Sequence, residues 1–257
     1  MLGAIAGDII GAPYEGAPIK TKDFPLFAEG AGFTDDSVCT VAVADALMNN
    51  RGFAEALRAW GRAHPDAGFG GMFSRWLMRD DAGPYGSWGN GAAMRVSPIA
   101  PVAADEADAL DLAARAAAVS HDHPSAVTAA QAVVLTMWLA RHGMDRAALR
   151  QTVADRFDYD LSPDVDAIRP DYGFDVSAAG TVPPALVCAL EARDYEDAVR
   201  NAVSLGGDAD TLACITGGVA EVLYGLPEAV GETARGRLTD DLCAVVDRFY
   251  SAGSAGA

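Results

Sequence analysis

The sequence predicts a compact, α-rich globular fold, and three observations carry that reading. Alanine, the strongest helix former, supplies 52 of the 257 residues. Charged residues make up 21% of the chain against 51% hydrophobic, which rules out a disordered chain and supplies enough apolar surface for a sizeable core. Aromatic residues stand at 8%, β-branched clusters are sparse, and alternating apolar–polar runs are hard to find. At about 150 residues per domain the length allows one or two domains. No low-complexity linker or long repeat divides the chain, so one domain over 1–252 is expected, with 253–257 (GSAGA) as a frayed tail.

In chain order, helices are expected at 1–12, 36–50, 53–64, 70–80, 91–100, 105–119, 125–142, 145–156, 184–203, 207–225 and 239–252. Gly, Pro and Asp punctuate them, in GAPYEGAP after the first, DDAGPYGSWGNG before the fifth, and LSPDVDAIRPDYGF before the ninth. The stretch 158–182 is the least regular and reads as a surface loop. The uncharged run Ser125–Ala140 falls short of the roughly 18–20 residues of a membrane helix, so it reads as a buried helix. The helices after Thr34 and after Gly207 are apolar on nearly every face, which places them at the centre of a bundle. Gly217 and Gly218 inside the second each cost about 1 kcal/mol relative to Ala. That cost is tolerable where a neighbouring backbone must approach closely.

Charge narrows the partners. The chain has 19 basic and 36 acidic residues, a net charge of −17, and only two lysines, Lys20 and Lys22. This argues against a nucleic-acid surface and against docking on anionic membrane. It is compatible with cation binding, but acidity that merely keeps the protein soluble explains it as well, so position has to decide. Cys39, Cys188, Cys214 and Cys243 are scattered with no CxxC pair, and read as thiols rather than disulfides or metal ligands. The N-terminus lacks a positive region and meets Asp8 early, unlike a signal peptide. A soluble, cytoplasmic monomer is expected.

Both buried helices open on acidic clusters: Thr34-Asp35-Asp36 and Asp208-Ala209-Asp210-Thr211. Thr and Asp are ordinary N-caps, and first-turn carboxylates suit the helix dipole. Yet each cluster offers two carboxylates and a hydroxyl where a cap needs one side chain. Desolvated carboxylates need a cation or a raised pKa, and oxygen-only ligands suit Mg²⁺, Mn²⁺ or Ca²⁺. The residues alone leave capping and cation binding both open. HExxH, ExxH, GxSxG and Walker A motifs are all absent, and four dispersed histidines do not make a zinc cage.

Five segments occur in a specific order: GAIAGDIIGAPYEG, FTDDS, GNGAAMRVSPIAP, SHDHPSAV and GGDADTLACITGGVAEVLYG. In these, over about residues 1–225, the chain resembles the ADP-ribosylglycohydrolase family. The resemblance implies an all-α fold, a compact single-domain multi-helix orthogonal bundle with a central dinuclear metal cleft holding two Mg²⁺ or Mn²⁺ ions. It implies Thr34, Asp35, Asp36, Asp208, Asp210 and Thr211 as metal ligands, and Glu15 as the acidic residue near the metals and the scissile bond. It further implies that Gly89, Asn90, Gly91 and Ala92 bind the diphosphate and ribose through backbone N–H groups, with His121 beside the diphosphate.

The implied reaction is hydrolysis at C1″ of the distal ribose, with Glu15 or Asp35 as the proton-handling or charge-stabilising carboxylate. The substrate would be an ADP-ribosylated protein, arginine-linked first of all, or a small ADP-ribose conjugate, and no redox or nucleotide cofactor is implied. Two rival readings stand beside it: an inactive ADP-ribose-binding or structural relative, and a two-metal phosphoester hydrolase. The chain is shorter than larger members, with no long insertion around the cleft to read the acceptor.

Overall fold

A computed structural model describes residues 1–254, with side chains through Ala252. Fourteen helices follow one another among them: α1 (Leu2–Glu15), α2 (Asp35–Asn49), α3 (Phe53–Ala63), α4 (Gly71–Leu77), α5 (Gly91–Met94), α6 (Glu106–Ala118), α7 (Pro124–Arg141), α8 (Arg146–Phe157), α9 (Val165–Ile168), α10 (Ala178–Glu191), α11 (Tyr195–Ser204), α12 (Ala209–Tyr224), α13 (Glu228–Arg235) and α14 (Asp240–Ser254). No strand occurs among the described residues; the one β-bridge joins Gly89 to Ser177. The expected tail, 253–257, lies outside the described residues except for the helical backbone of 253–254.

The centre of the molecule is the pair α1 and α12, and glycine sets its spacing. A Cβ on Gly7 would stand 2.0 Å from the Ala213 carbonyl oxygen, and one on Gly11 2.4 Å from that of Ala209. From the other side, a Cβ on Gly217 would stand 2.3 Å from the Gly3 carbonyl oxygen. The expected close approach at Gly217 is therefore made against α1, backbone on backbone. It brings Asp8, next to Gly7, close to the acidic start of α12. Helix α2 is buried along most of its length, as its uniform apolarity predicts.

Several expected boundaries differ. The single helix over 184–203 is two helices, because the Asp194 carboxylate accepts from the Asp197 N–H and caps a new start after extended Ala192. Helix α10 also begins earlier, where the Ser177 hydroxyl accepts from the Gly180 N–H at 3.0 Å. It continues through Pro183 and Pro184. Proline at 184 removes the bond to the Gly180 carbonyl, and the Tyr172 hydroxyl donates to that carbonyl instead, at 3.1 Å. The helix expected over 91–100 stops at Met94, ahead of Pro98, whose ring disfavours helical backbone at Ser97. The irregular stretch holds the short α9 as well as loop, and α13 lies between the expected helices 207–225 and 239–252, where none was expected. Cys39, Cys188 and Cys214 are buried free thiols and Cys243 is a half-buried one. No helix among the described residues is long and apolar enough to cross a membrane.

Candidate active site

A cleft of about 410 Å³ opens where α1, α2, α5 and α12 meet. Glu15, Thr34, Asp35, Asp36, Gly89, Asn90, Gly91, His121, Asp208, Asp210 and Thr211 all line it. The remaining predicted site residue, Ala92, is fully buried and does not line the cleft.

Capping bonds use only part of the two acidic helix starts. Helix α2 is capped by Thr34, whose hydroxyl accepts from the Asp36 N–H at 3.2 Å, and by Asp8 reaching across from α1. The fully buried Asp8 carboxylate accepts from the Thr34 N–H (2.9 Å), the Thr34 hydroxyl (2.7 Å), the Ser37 N–H (3.1 Å) and the Ser37 hydroxyl. Asp208 occupies the N-cap of α12 yet makes no side-chain capping bond. Its carboxylate accepts instead from the Asn90 amide at 2.7 Å. Asp36 Oδ1 and Asp210 Oδ1 are buried with no hydrogen-bond partner among the described residues. The acidic helix starts thus hold carboxylates beyond what capping uses.

Two groupings of carboxylate oxygens come within 4.8 Å of one another: Asp8, Asp36 and Asp210, and Glu15, Asp208 and Asp210. Asp210 belongs to both. The Thr211 hydroxyl lies 3.3 Å from Asp36 Oδ2, and the Thr34 hydroxyl 3.5 Å from the same oxygen. Asp35 stands apart from both groupings, with Oδ1 3.9 Å from where a Cβ of Gly68 would be. None of these carboxylates takes part in an ion pair among the described residues.

Burial pushes the Asp36 and Asp210 carboxyls well above the usual range, and neighbouring carboxylates push them further. Burial likewise raises Asp8, against hydrogen bonds from Ser37 and Thr34 that pull it down. Asp35 is pushed up to about 7 by burial, then by the charges of Asp8 and Asp208. Glu15, exposed at the mouth, is raised by partial desolvation and by Asp208. Such a cluster holds protons or accepts a hard cation. Its donors, all carboxylate and hydroxyl oxygens with two orphaned oxygens among them, fit divalent cations of the Mg²⁺ or Mn²⁺ kind.

The Gly89–Ala92 segment is arranged differently from its expected role. The Asn90 amide is spent on Asp208 and on the Thr181 hydroxyl (3.1 Å), and the Asn90 N–H donates to the Val176 carbonyl at 2.8 Å. The Gly89 N–H donates to Ser87 Oγ at 3.2 Å. The Gly91 N–H, at the first position of α5, has no hydrogen-bond partner among the described residues. His121 is buried, and the capping its neighbourhood suggests is done by His123, whose ring accepts from the Ser125 N–H.

A family model for ADP-ribosylglycohydrolase matches residues 1–256. The chain belongs to the ADP-ribosylglycohydrolase family. An uncharacterised protein of Archaeoglobus fulgidus is 26% identical to it, over 85% of this chain and 84% of its own length. ADP-ribosylhydrolase ARH3 of Homo sapiens is 24% identical, over 95% of this chain and 90% of its own. A solved structure described as an ADP-ribosylglycohydrolase-related protein complex superposes with a TM-score of 0.74 at 27% identity, covering 97% of this chain and 96% of that one. The all-helical bundle is the fold of this ADP-ribosylglycohydrolase family, and the chain is a hydrolase of that kind.

Sequence reasoning missed Asp8, Arg95, Ser120 and Thr181. Asp8 had a visible signal, a lone carboxylate between Gly7 and apolar residues on a helix with no other buried charge. Arg95 and Thr181 act through partners distant in sequence, and Ser120 joins the adjacent His121 to the distant Arg95.

Proposed function

We propose that this ADP-ribosylglycohydrolase cleaves the C1″ glycosidic bond of arginine-linked ADP-ribose on proteins or small conjugates, releasing ADP-ribose with the help of two divalent cations, Mg²⁺ or Mn²⁺. The observation that carries the reading is the pair of carboxylate groupings sharing Asp210, with orphaned oxygens on Asp36 and Asp210. Thr34, Asp36, Asp208, Asp210 and Thr211 would hold the cations, with Asp35 beside them. Bound there, divalent cations lower the pKa of water and fix the geometry of oxygen ligands.

The chain's own residues supply the rest. Asp8 accepts a hydrogen bond from the Thr34 hydroxyl, which leaves the lone pairs of Thr34 Oγ1 to face away from Asp8. Asn90 holds Asp208 in place from the opposite wall. Asp35, pushed up to about 7, faces the cleft as the group that takes or returns a proton near neutral pH, and Glu15, its carboxyl raised by partial desolvation and by Asp208, stands at the mouth as a second carboxyl. Glu15 at the mouth is also placed to pair with a cationic guanidinium, which favours an arginine linkage. The Gly91 N–H and His121 offer donors for the diphosphate.

The test is ADP-ribose release from arginine-, serine- and O-acetyl-linked substrates, with chelator and with added Mg²⁺ or Mn²⁺. The expected result is metal-restored release, fastest on the arginine linkage. Full release in chelator would overturn the metal role, preference for another linkage would overturn the arginine assignment, and release of inorganic phosphate alone would favour a phosphoester hydrolase.

A further inference from the structure

The cleft contains a second polar chain with no carboxylate in it. Arg95 follows α5 and is fully buried. Its Nη2 donates to the carbonyls of Ala116 (2.7 Å) and Ala117 (3.1 Å), in the last turn of α6, and to Ser120 Oγ (3.0 Å). The cation thus sits at the negative end of a helix dipole, and it makes no ion pair among the described residues. Ser120 is also fully buried, with Oγ 2.8 Å from His121 Nδ1.

This chain of contacts allows one arrangement of protons that gives both the Ser120 hydroxyl and His121 Nδ1 a partner, while Arg95 Nε and Nη1 have no hydrogen-bond partner among the described residues. A guanidinium only donates, so Ser120 Oγ accepts from Arg95. The serine hydroxyl has one proton, and its only other partner among the described residues is His121 Nδ1. Were Nδ1 protonated, Ser120 would accept twice and its own buried proton would have no acceptor, a costly arrangement. The hydroxyl therefore donates to Nδ1, and the imidazole proton resides on Nε2. That nitrogen faces the cleft floor, 3.0 Å from where a Cβ of Gly91 would stand and 3.5 Å from that of Gly89. The ring is held between Phe73 and Tyr85, with centroids 6.1 and 5.8 Å away.

Resting on the function proposed above, we infer that Ser120 and Arg95 are positioning residues which hold His121 as a neutral imidazole, its Nε2–H a fixed donor to a phosphate oxygen of the substrate. Burial and the facing Arg95 charge push the His121 pKa down to about 2, so the ring keeps this form across physiological pH. The other titratable group against it, Tyr85, is pushed up to about 12 by burial and stays neutral as well. A donor locked in one tautomer reads an acceptor oxygen without a reorganisation step on binding.

The test uses the full chain labelled with ¹⁵N-histidine. Long-range ¹H–¹⁵N correlation assigns the tautomer, with the His121 signals identified by their loss in His121→Gln. The expected parent spectrum shows a neutral Nε2–H ring, unchanged from about pH 5.5 to about pH 8. Ser120→Ala should shift the ring to a mixture of tautomers and weaken ADP-ribose binding about tenfold. Ser120→Thr, which keeps the hydroxyl, should restore both. An Nδ1–H ring or a titrating ring in the parent would overturn the proposal whatever the variants do. So would a tautomer indifferent to Ser120→Ala in a folded variant. A parent with the expected tautomer that binds no ADP-ribose in the presence of Mg²⁺ or Mn²⁺ would overturn the functional reading instead.

Discussion

Asp210 is where the two carboxylate groupings meet, and one of its oxygens is buried without a partner. Replacing it by Asn keeps the shape and removes one of several mutually repelling charges. Asp36→Asn and Asp210→Asn are therefore expected to leave the metal-free protein as stable as the parent or more so, measured by denaturant unfolding in chelator. The same repulsion fixes a pH dependence. A carboxyl whose pKa is higher folded than unfolded binds more protons in the folded state between the two values, so stability falls as pH rises through that window. For Asp35 the window runs from 3.8 to about 7. In chelator the melting temperature should fall from pH 5 to pH 8, and Asp35→Asn should flatten that slope. Asn90 acts on the same cluster from outside. With its amide on Asp208, Asn90→Ala should weaken cation affinity by about 10–100-fold, read by calorimetry, as loss of an outer-shell partner does elsewhere. The carboxylates and hydroxyls of the cleft stand in the sequence as two acidic helix starts, each with more carboxylates than a cap needs, within five ordered segments that resemble the family. Asn90's partner was not legible there, since Asp208 lies 118 positions away and nothing local reports the encounter.

At the scale of elements, the α1–α12 contact is what brings Asp8 close to the start of α12. Gly7→Ala should overpack this contact, because its Cβ would stand 2.0 Å from a backbone oxygen with no flexible side chain to yield. Overpacking costs typically 1–3 kcal/mol, and a backbone neighbour puts this position at the upper end or beyond, as a shift in denaturant midpoint would show. The segment between α1 and α2 is held by cations. Lys20 donates to the carbonyls of Arg169, Tyr172 and Leu205, Lys22 pairs with Asp197, and Arg237 bonds the carbonyls of Ala28 and Ala31. Lys20→Met should therefore raise hydrogen exchange in this segment while leaving α12 protected. Helix existence could be read from alanine content and turn residues, and α2 and α12 were placed centrally for a sound reason, their apolar faces. The break at Asp194 was hidden because an apolar periodicity ran on across it. The early start of α10 was hidden because two prolines argue against a helix that Tyr172 makes possible.

Across the whole molecule, the charge of −17 has a local counterpart in the cleft, where buried carboxylates gather without a paired cation. Composition is compatible with cation binding but is accounted for by solubility alone; the convergence of the α2 and α12 starts is the observation that favours a cation site. The most direct test is the melting temperature of the full chain in chelator and then in millimolar Mg²⁺ or Mn²⁺, with Asp36→Asn and Asp210→Asn alongside. Binding at 100 times Kd stabilises a protein by about 2.7 kcal/mol. For a chain of this size that is a rise of about 5–10 °C in the parent, largely lost in both variants. A parent whose melting temperature moves with neither metal would contradict the cation-binding cleft and remove the physical basis of the proposed hydrolysis.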